Sequence, residues 1–208
     1  MKIIVATGNK GKLAEIEKIL DDDRFEIVSM KETGFDRDIV ENGTTYEENA
    51  LIKTRAVRSY LQDISYPEGY IIMADDSGLE VDYLGGRPGI YSARYMGEET
   101  PYSVKNQAII DALKGVPDEQ RGARFVCAIA MIFPDGTETT THATYEGKVA
   151  YEAKGTNGFG YDPMFFVPKF GGTDAELPIE VKNRNSHRAK ALQQAKEKIK
   201  NWLTTVNV

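Results

Sequence analysis

The stretch Ala74-Asp75-Asp76-Ser77-Gly78 constrains this chain more than any other. It follows the apolar run from Gly69 to Ala74, which reads as a short buried strand. Two carboxylates at the mouth of such a strand cost free energy unless a cation or hydrogen-bond donors compensate them. Ser77 and Gly78 are turn residues. Two readings therefore stand together: a metal-assisted reaction centre, or an Asx-turn that only ends a strand. Leu79 to Leu84 then alternates as a further strand.

A chain of 208 residues suffices for one large domain or two small lobes. Its net charge of -6 argues against broad nucleic acid binding, which needs a basic face, but not against one bound nucleotide. The single cysteine, Cys127, lies in the apolar run Phe125 to Met131 and reads as a buried strand residue. No signal peptide is visible and no run approaches a membrane span, so a reduced cytoplasmic setting with no membrane partner is expected.

Ile3 to Ala6 reads as a first buried strand and Thr7-Gly8-Asn9-Lys10-Gly11-Lys12 as a loop. Leu13, Ile16, Ile19 and Leu20 then mark one face of a helix. Strand, glycine-containing loop and helix offer backbone N–H groups and a helix dipole to an anion. An ordinary turn with solvated lysines is the plainer reading; the spacing is too short for a Walker A loop. Phe25 to Met30 alternates as a strand, and Asp38 to Gly43 is a polar loop carrying Glu41. Thr45 and Glu48 have capping-box spacing for a helix reaching about Leu61, with Glu47 serving its dipole. Pro101 opens a helix with Val104, Ala108, Ile109, Ala112 and Leu113 inward.

Strands flank the turn Pro134-Asp135-Gly136; the second runs from Thr137 to Thr144, and Tyr145 to Tyr151 forms another after Gly147. His142, with no acid nearby in sequence, reads as solvated or packed. Residues 155–168 interleave glycines with aromatics, so Phe159 or Tyr161 can stack on a flat base. A hairpin with packed aromatics is the alternative. The last helix spans about Ser186 to Leu203 with Ser186 as N-cap. His187 and Arg188 in its first turn oppose the helix dipole, and a ligand with acceptor atoms would account for them. There is no nucleophile arrangement, zinc spacing or dinucleotide fingerprint. The inventory fits carboxylate-bound magnesium acting on a nucleotide phosphate.

Thr7-Gly8-Asn9 with Gly11-Lys12, Glu48-Asn49-Ala50 with Lys53, Ala74 to Leu79, Pro88 to Tyr95, Gly158 to Pro163 and Ser186-His187-Arg188 resemble, in order, the inosine/xanthosine triphosphate pyrophosphatase family. The resemblance covers nearly the whole chain. It implies an α/β fold: an elongated mixed sheet with flanking helices, forming two lobes around a central nucleotide-binding cleft. Residues 1–208 would form a single domain with no linker. The implied activity is hydrolysis of deaminated purine nucleoside triphosphates (ITP, dITP, XTP, dXTP) to the monophosphate and pyrophosphate. Mg2+ and a homodimer are also implied.

Carried over by motif, Thr7, Gly8, Asn9, Lys10, Gly11 and Lys12 form the triphosphate loop. Asp76 is the general base and, with Glu41, a metal ligand; Lys53 and Ser77 lie beside the phosphates. Phe159, Gly160, Tyr161, Asp162, Lys182, His187 and Arg188 hold base and sugar. Family members often carry two adjacent acids before the position of Gly43, whereas Val40-Glu41-Asn42 has one, which leaves Asp75 and Glu48 as alternative ligands. His187 or Arg188 donating to a 6-oxo group would accept inosine and reject adenosine, whose 6-amino group is a donor. The expected mechanism is in-line attack of water on the α-phosphorus with Asp76 accepting the proton. Two rivals are a pyrophosphatase for modified pyrimidine nucleotides and a non-catalytic nucleotide-binding module.

Overall fold

The structure is a computed structural model that describes residues 1–206. In chain order it forms β1 (Lys2–Val5), α1 (Lys10–Ile19), β2 (Glu26–Ser29), α2 (Tyr46–Asp63), β3 (Tyr70–Val81), α3 (Tyr102–Ala112), β4 (Gly122–Ile132), β5 (Glu138–Val149), β6 (Phe165–Val167), β7 (Gly172–Thr173), α4 (Ile179–Asn185) and α5 (His187–Val206). One mixed sheet has the order β2-β1-β3-β4-β5-β6-β7. β1 runs parallel to β2 and β3, and β6 antiparallel to β5 and β7. This is the α/β class that the sequence predicts. Among the described residues no helix is long and apolar enough to cross a membrane.

The chain divides into two compact units. The first comprises Met1–Asp76, Cys127–Ala143 and the segment from Arg188 onward; the second comprises Ser77–Val126 and Thr144–His187. In the first unit the two-residue period of a strand sorts side chains onto two faces. Ile3, Val5, Ile71 and Met73 pack with Ile16 of α1, with Leu20 just beyond it, and with Leu192, Ala195 and Ile199 of α5. Ile4, Ala6, Ile72 and Ala74 pack with Val57 and Leu61 of α2. The second unit has its own core, in which Leu79, Val81 and Phe125 meet Ile109 and Leu113, Met164 and Phe165.

Several expectations are corrected. Ser77 and Gly78 do not end a strand: β3 runs unbroken through both acids to Val81. β5 likewise runs unbroken through Gly147. A Cβ at Gly147 would lie 2.6 Å from the Phe165 ring and from the Phe166 carbonyl oxygen, so glycine there admits β6 rather than making a turn. On α3, Val104 and Ala112 face outward, while Lys105 and Asn106 join Ile109 and Ile110 inside. Lys105 donates to the Ala93 carbonyl at 2.6 Å and Asn106 to the Gly160 carbonyl at 3.1 Å, which offsets their desolvation. Thr45 does cap α2 through the Glu48 N–H, but the Glu48 carboxylate turns to Thr44 instead of completing the box. His142 finds an acid after all: Glu47 lies 2.7 Å from its Nδ1.

Candidate active site

The continuity of β3 decides what its two acids do. Alternation carries Asp75 to the face that bears Ile71 and Met73, under α1 and α5, and Asp76 to the α2 face. Asp75 is 1% exposed. Its Oδ1 meets Lys12 Nζ at 3.1 Å, and its Oδ2 accepts from Arg188 Nε and Nη2, both at 3.1 Å. Arg188 Nη1 also donates to Glu15, so one buried guanidinium joins two carboxylates. Burial alone would raise the Asp75 pKa, but Lys12, Arg188 and Lys53 outweigh it and hold the group below the ordinary carboxylate range. A cation in the first turn of α5 is neutralised there by Asp75 and Glu15.

On the other face, Lys53 from α2 links two acids. Its ammonium lies 3.1 Å from Asp76 Oδ1 and 2.7 Å from Glu41 Oε2. Burial lowers the Lys53 pKa, but attraction to Asp76, Glu41 and Asp75 outweighs it and leaves the net shift upward. Burial raises the Asp76 pKa, Lys53 and Lys12 oppose that, Glu41 adds to it, and the balance stays upward. An upward shift favours proton acceptance near neutral pH. Asn49, 1% exposed, donates to Asp76 Oδ2 at 3.4 Å and accepts the Gly43 N–H at 2.9 Å. Glu48 accepts from the Thr44 N–H at 2.6 Å and its hydroxyl at 2.8 Å, which holds its carboxyl low and makes it a staple for the loop.

Among the described residues no three His, Cys, Asp or Glu side chains converge on one point. A cation at this place would take the Glu41 and Asp76 carboxylates from the protein and fill its shell with water and phosphate oxygens, which is how magnesium is commonly held. Four carboxylates (Glu15, Glu41, Asp75, Asp76) against three cations (Lys12, Lys53, Arg188) leave one negative charge over among these seven groups. The donor set therefore fits a hard divalent ion.

α1 begins earlier than expected, so Lys10, Gly11 and Lys12 are its first turn rather than loop. The cause is Asn9, whose side-chain oxygen accepts the Gly11 and Lys12 N–H groups at 2.9 and 3.1 Å. Thr7 Oγ1 in turn accepts the Asn9 N–H at 3.2 Å. Gly8 and Lys10 are exposed, while Lys12 folds back toward Asp75.

The second unit gathers the remaining candidates. Ser77 follows on β3, half-buried. Asp162 Oδ2 accepts the Phe159 N–H at 2.7 Å and Lys182 Nζ at 2.5 Å. The Lys182 ammonium also sits 4.8 Å from the centroid of the Phe159 ring, and Asp174 lies 3.8 Å from it. Gly158, at φ +75°, leaves room for the Asp162 carboxylate where a Cβ would collide. Gly160 is likewise left-handed, at φ +68°. Tyr161 is packed inside: its hydroxyl donates to the Ser92 carbonyl at 2.8 Å and its ring meets Tyr102 edge-on at 5.2 Å. Phe159 is half-buried. His187 is 5% exposed and stacks on Phe125 at 4.9 Å with an interplanar angle of 20°. Sequence reasoning missed Glu15, Asp174, Asn106 and the role of Asn49. Only Asn49 left a signal, as the unassigned middle residue of Glu48-Asn49-Ala50.

The Ham1 family model matches residues 3–198. A dITP/XTP pyrophosphatase of Clostridium perfringens is 43% identical over 202 residues, covering 97% of this chain and 98% of that one. Another of that name, from Caldanaerobacter subterraneus subsp. tengcongensis, is 47% identical over 199 residues, 96% of each chain. The solved structure of the Staphylococcus aureus Ham1 protein superposes with a TM-score of 0.83 at 36% identity, covering 97% of this chain and 99% of that one. With a buried acid pair, a lysine bridging two carboxylates and a match along almost its entire length, this chain belongs to the Ham1 family.

Proposed function

We propose that this chain hydrolyses deaminated purine nucleoside triphosphates (dITP, ITP, XTP and dXTP) to the monophosphate and pyrophosphate, with Mg2+ as cofactor. The observation that carries this reading is the buried Asp76 carboxylate, held beside Lys53 and Glu41 with its pKa raised. Relatives named dITP/XTP pyrophosphatase support the substrate class. Glu41 and Asp76 would hold Mg2+, which when bound would neutralise charge at the phosphates. Asp76 takes the proton of the water that attacks the α-phosphorus in line. Lys53, Lys10 and Lys12 offset the negative charge of the departing pyrophosphate, with Thr7 to Gly11 and Ser77 at the phosphate chain. Phe159 stacks on the base, supported by Gly160, Tyr161, Asp162 and Lys182.

His187 or Arg188 donates to the 6-oxo group, and Arg188 also keeps Asp75 ionised. Adenine, with a 6-amino donor, leaves two donors facing each other and is rejected. Residues 1–208 act as a single domain. The enzyme works as a cytoplasmic homodimer, which a sedimentation mass equal to one chain would contradict. The deciding experiment is pyrophosphate release from dITP, XTP, dATP and a modified dUTP, each with and without Mg2+. Release from dITP and XTP only with Mg2+ supports the proposal. Release from the pyrimidine alone, or nucleotide binding without release, overturns it.

A further inference from the structure

We infer that Asn49 is a positioning residue that fixes the Glu41 loop and the Asp76 carboxylate relative to each other. This rests on the metal assignment above for its activity arm. A backbone N–H only donates, so the atom that Gly43 N–H meets at 2.9 Å is the Asn49 oxygen. The atom facing Asp76 Oδ2 at 3.4 Å is therefore the nitrogen, a donor. One side chain thus accepts from the loop that bears Glu41 and donates to the acid on β3.

Three further observations make this a clamp rather than a chance contact. Asn49 is 1% exposed, so neither bond has a ready substitute in water. Gly43 is pressed against the start of α2: a Cβ there would come within 2.7 Å of Glu48 Cβ and 2.8 Å of the Asn49 oxygen. Glu48, the preceding residue, grips Thr44 through its N–H and its hydroxyl. Consecutive residues of one helix turn therefore hold consecutive residues of the loop. Lys53, one turn further along α2, reaches Glu41 and Asp76 Oδ1. The helix thus addresses both oxygens of Asp76, Oδ1 by a cation and Oδ2 by an amide. Each oxygen keeps a second lone pair for other partners. Side chains that orient metal-binding carboxylates in this way commonly change metal affinity or activity by about 10- to 100-fold when removed.

The test compares the parent enzyme with Asn49→Ala, which suits a helix interior, and Asn49→Leu, which keeps the volume. Expected are a kcat for dITP lower by about tenfold or more, a KM within about twofold of the parent, and a raised Mg2+ requirement for half-maximal rate. Calorimetric titration with Mn2+ and no nucleotide should show weaker binding by about tenfold in both variants. Amide exchange at Gly43 should quicken while the β1 amides hold. A purely structural role would lower the melting temperature and leave kcat and metal dependence parental in the folded protein, and that result overturns the inference. If the parent releases no pyrophosphate from dITP, the proposed function fails, and the Mn2+ titration alone judges Asn49. A parent that binds no Mn2+ sinks the inference, because there is then no metal site to position.

Discussion

Replacing Asp75 with asparagine removes the carboxylate on which Lys12 and Arg188 converge while keeping its shape. Asp75 and Arg188 are 1% and 2% exposed, so solvent cannot take over the lost partner. Removing one member of a buried ion pair costs about 3–5 kcal/mol. Arg188 keeps Glu15, and the Lys12 side chain is 16% exposed, so the low end applies: about 3 kcal/mol. For a chain of this size that lowers the melting temperature by about 6–12 °C. The fluorescence of the single tryptophan, Trp202, reports it. Its ring stacks on Phe133 at 5.1 Å, inside the compact unit that contains Asp75. The loss has a defined pH dependence. The folded-state pKa is depressed, so between it and the unfolded value the unfolded chain binds more protons. The stabilisation is therefore fully present above about pH 4, the unfolded value, and fades as pH falls below it. The gap between parent and variant should close in acid. A variant within about 1 kcal/mol of the parent at pH 7 would refute the reasoning, as would a gap that is constant from pH 7 to pH 3.

Asp76→Asn should reduce kcat for dITP by about 100-fold or more with the fold intact by circular dichroism; a parental rate removes Asp76 as the base. His187→Phe keeps a ring against Phe125 but loses the donor, so the preference for dITP over dATP should fall by about tenfold or more, read as a ratio of kcat/KM values. Gly158→Ala forces a Cβ into the Asp162 carboxylate at a left-handed φ of +75°. It should raise the KM for dITP severalfold with little change in kcat, and equal losses in both would place the loop in the chemical step instead.

The sequence carried the local signals well. The apolar runs of β1, β3 and β4 and the cap of α2 follow from patterns within a few residues, and the structure has them. What was misplaced depended on distant partners. Ser77, Gly78 and Gly147 look like turn residues, but Gly147 makes room for Phe165 from β6, a neighbour created only by strand pairing. Lys105 and Asn106 look like surface residues until the Ala93 and Gly160 carbonyls lie against them. The Arg188 cation at a helix start looks unfavourable until Asp75, 113 residues away in sequence, and Glu15, 173 away, are placed beside it. The candidate acids and lysines were legible as a set because burying charge is costly anywhere. Which acid meets which cation was not, because that depends on whether the strand continues through them.

That continuity has a consequence for how this site tolerates change. Neighbouring carboxylates on one surface would repel and compete for the same cations. Here they point to opposite faces of the sheet, and each makes its direct ion pairs with its own helix layer, Asp75 with Lys12 and Arg188, Asp76 with Lys53. The assignment is one of parity. Inserting or deleting a single residue between Ile71 and Asp76 would exchange the two layers, sending Asp76 to Arg188 and Asp75 to Lys53. A change of two residues would restore the faces but shift both acids along the strand. The central strand is thus a reading frame for chemistry, and length variation in this chain is expected in its loops and hairpin rather than in the run leading to the acids.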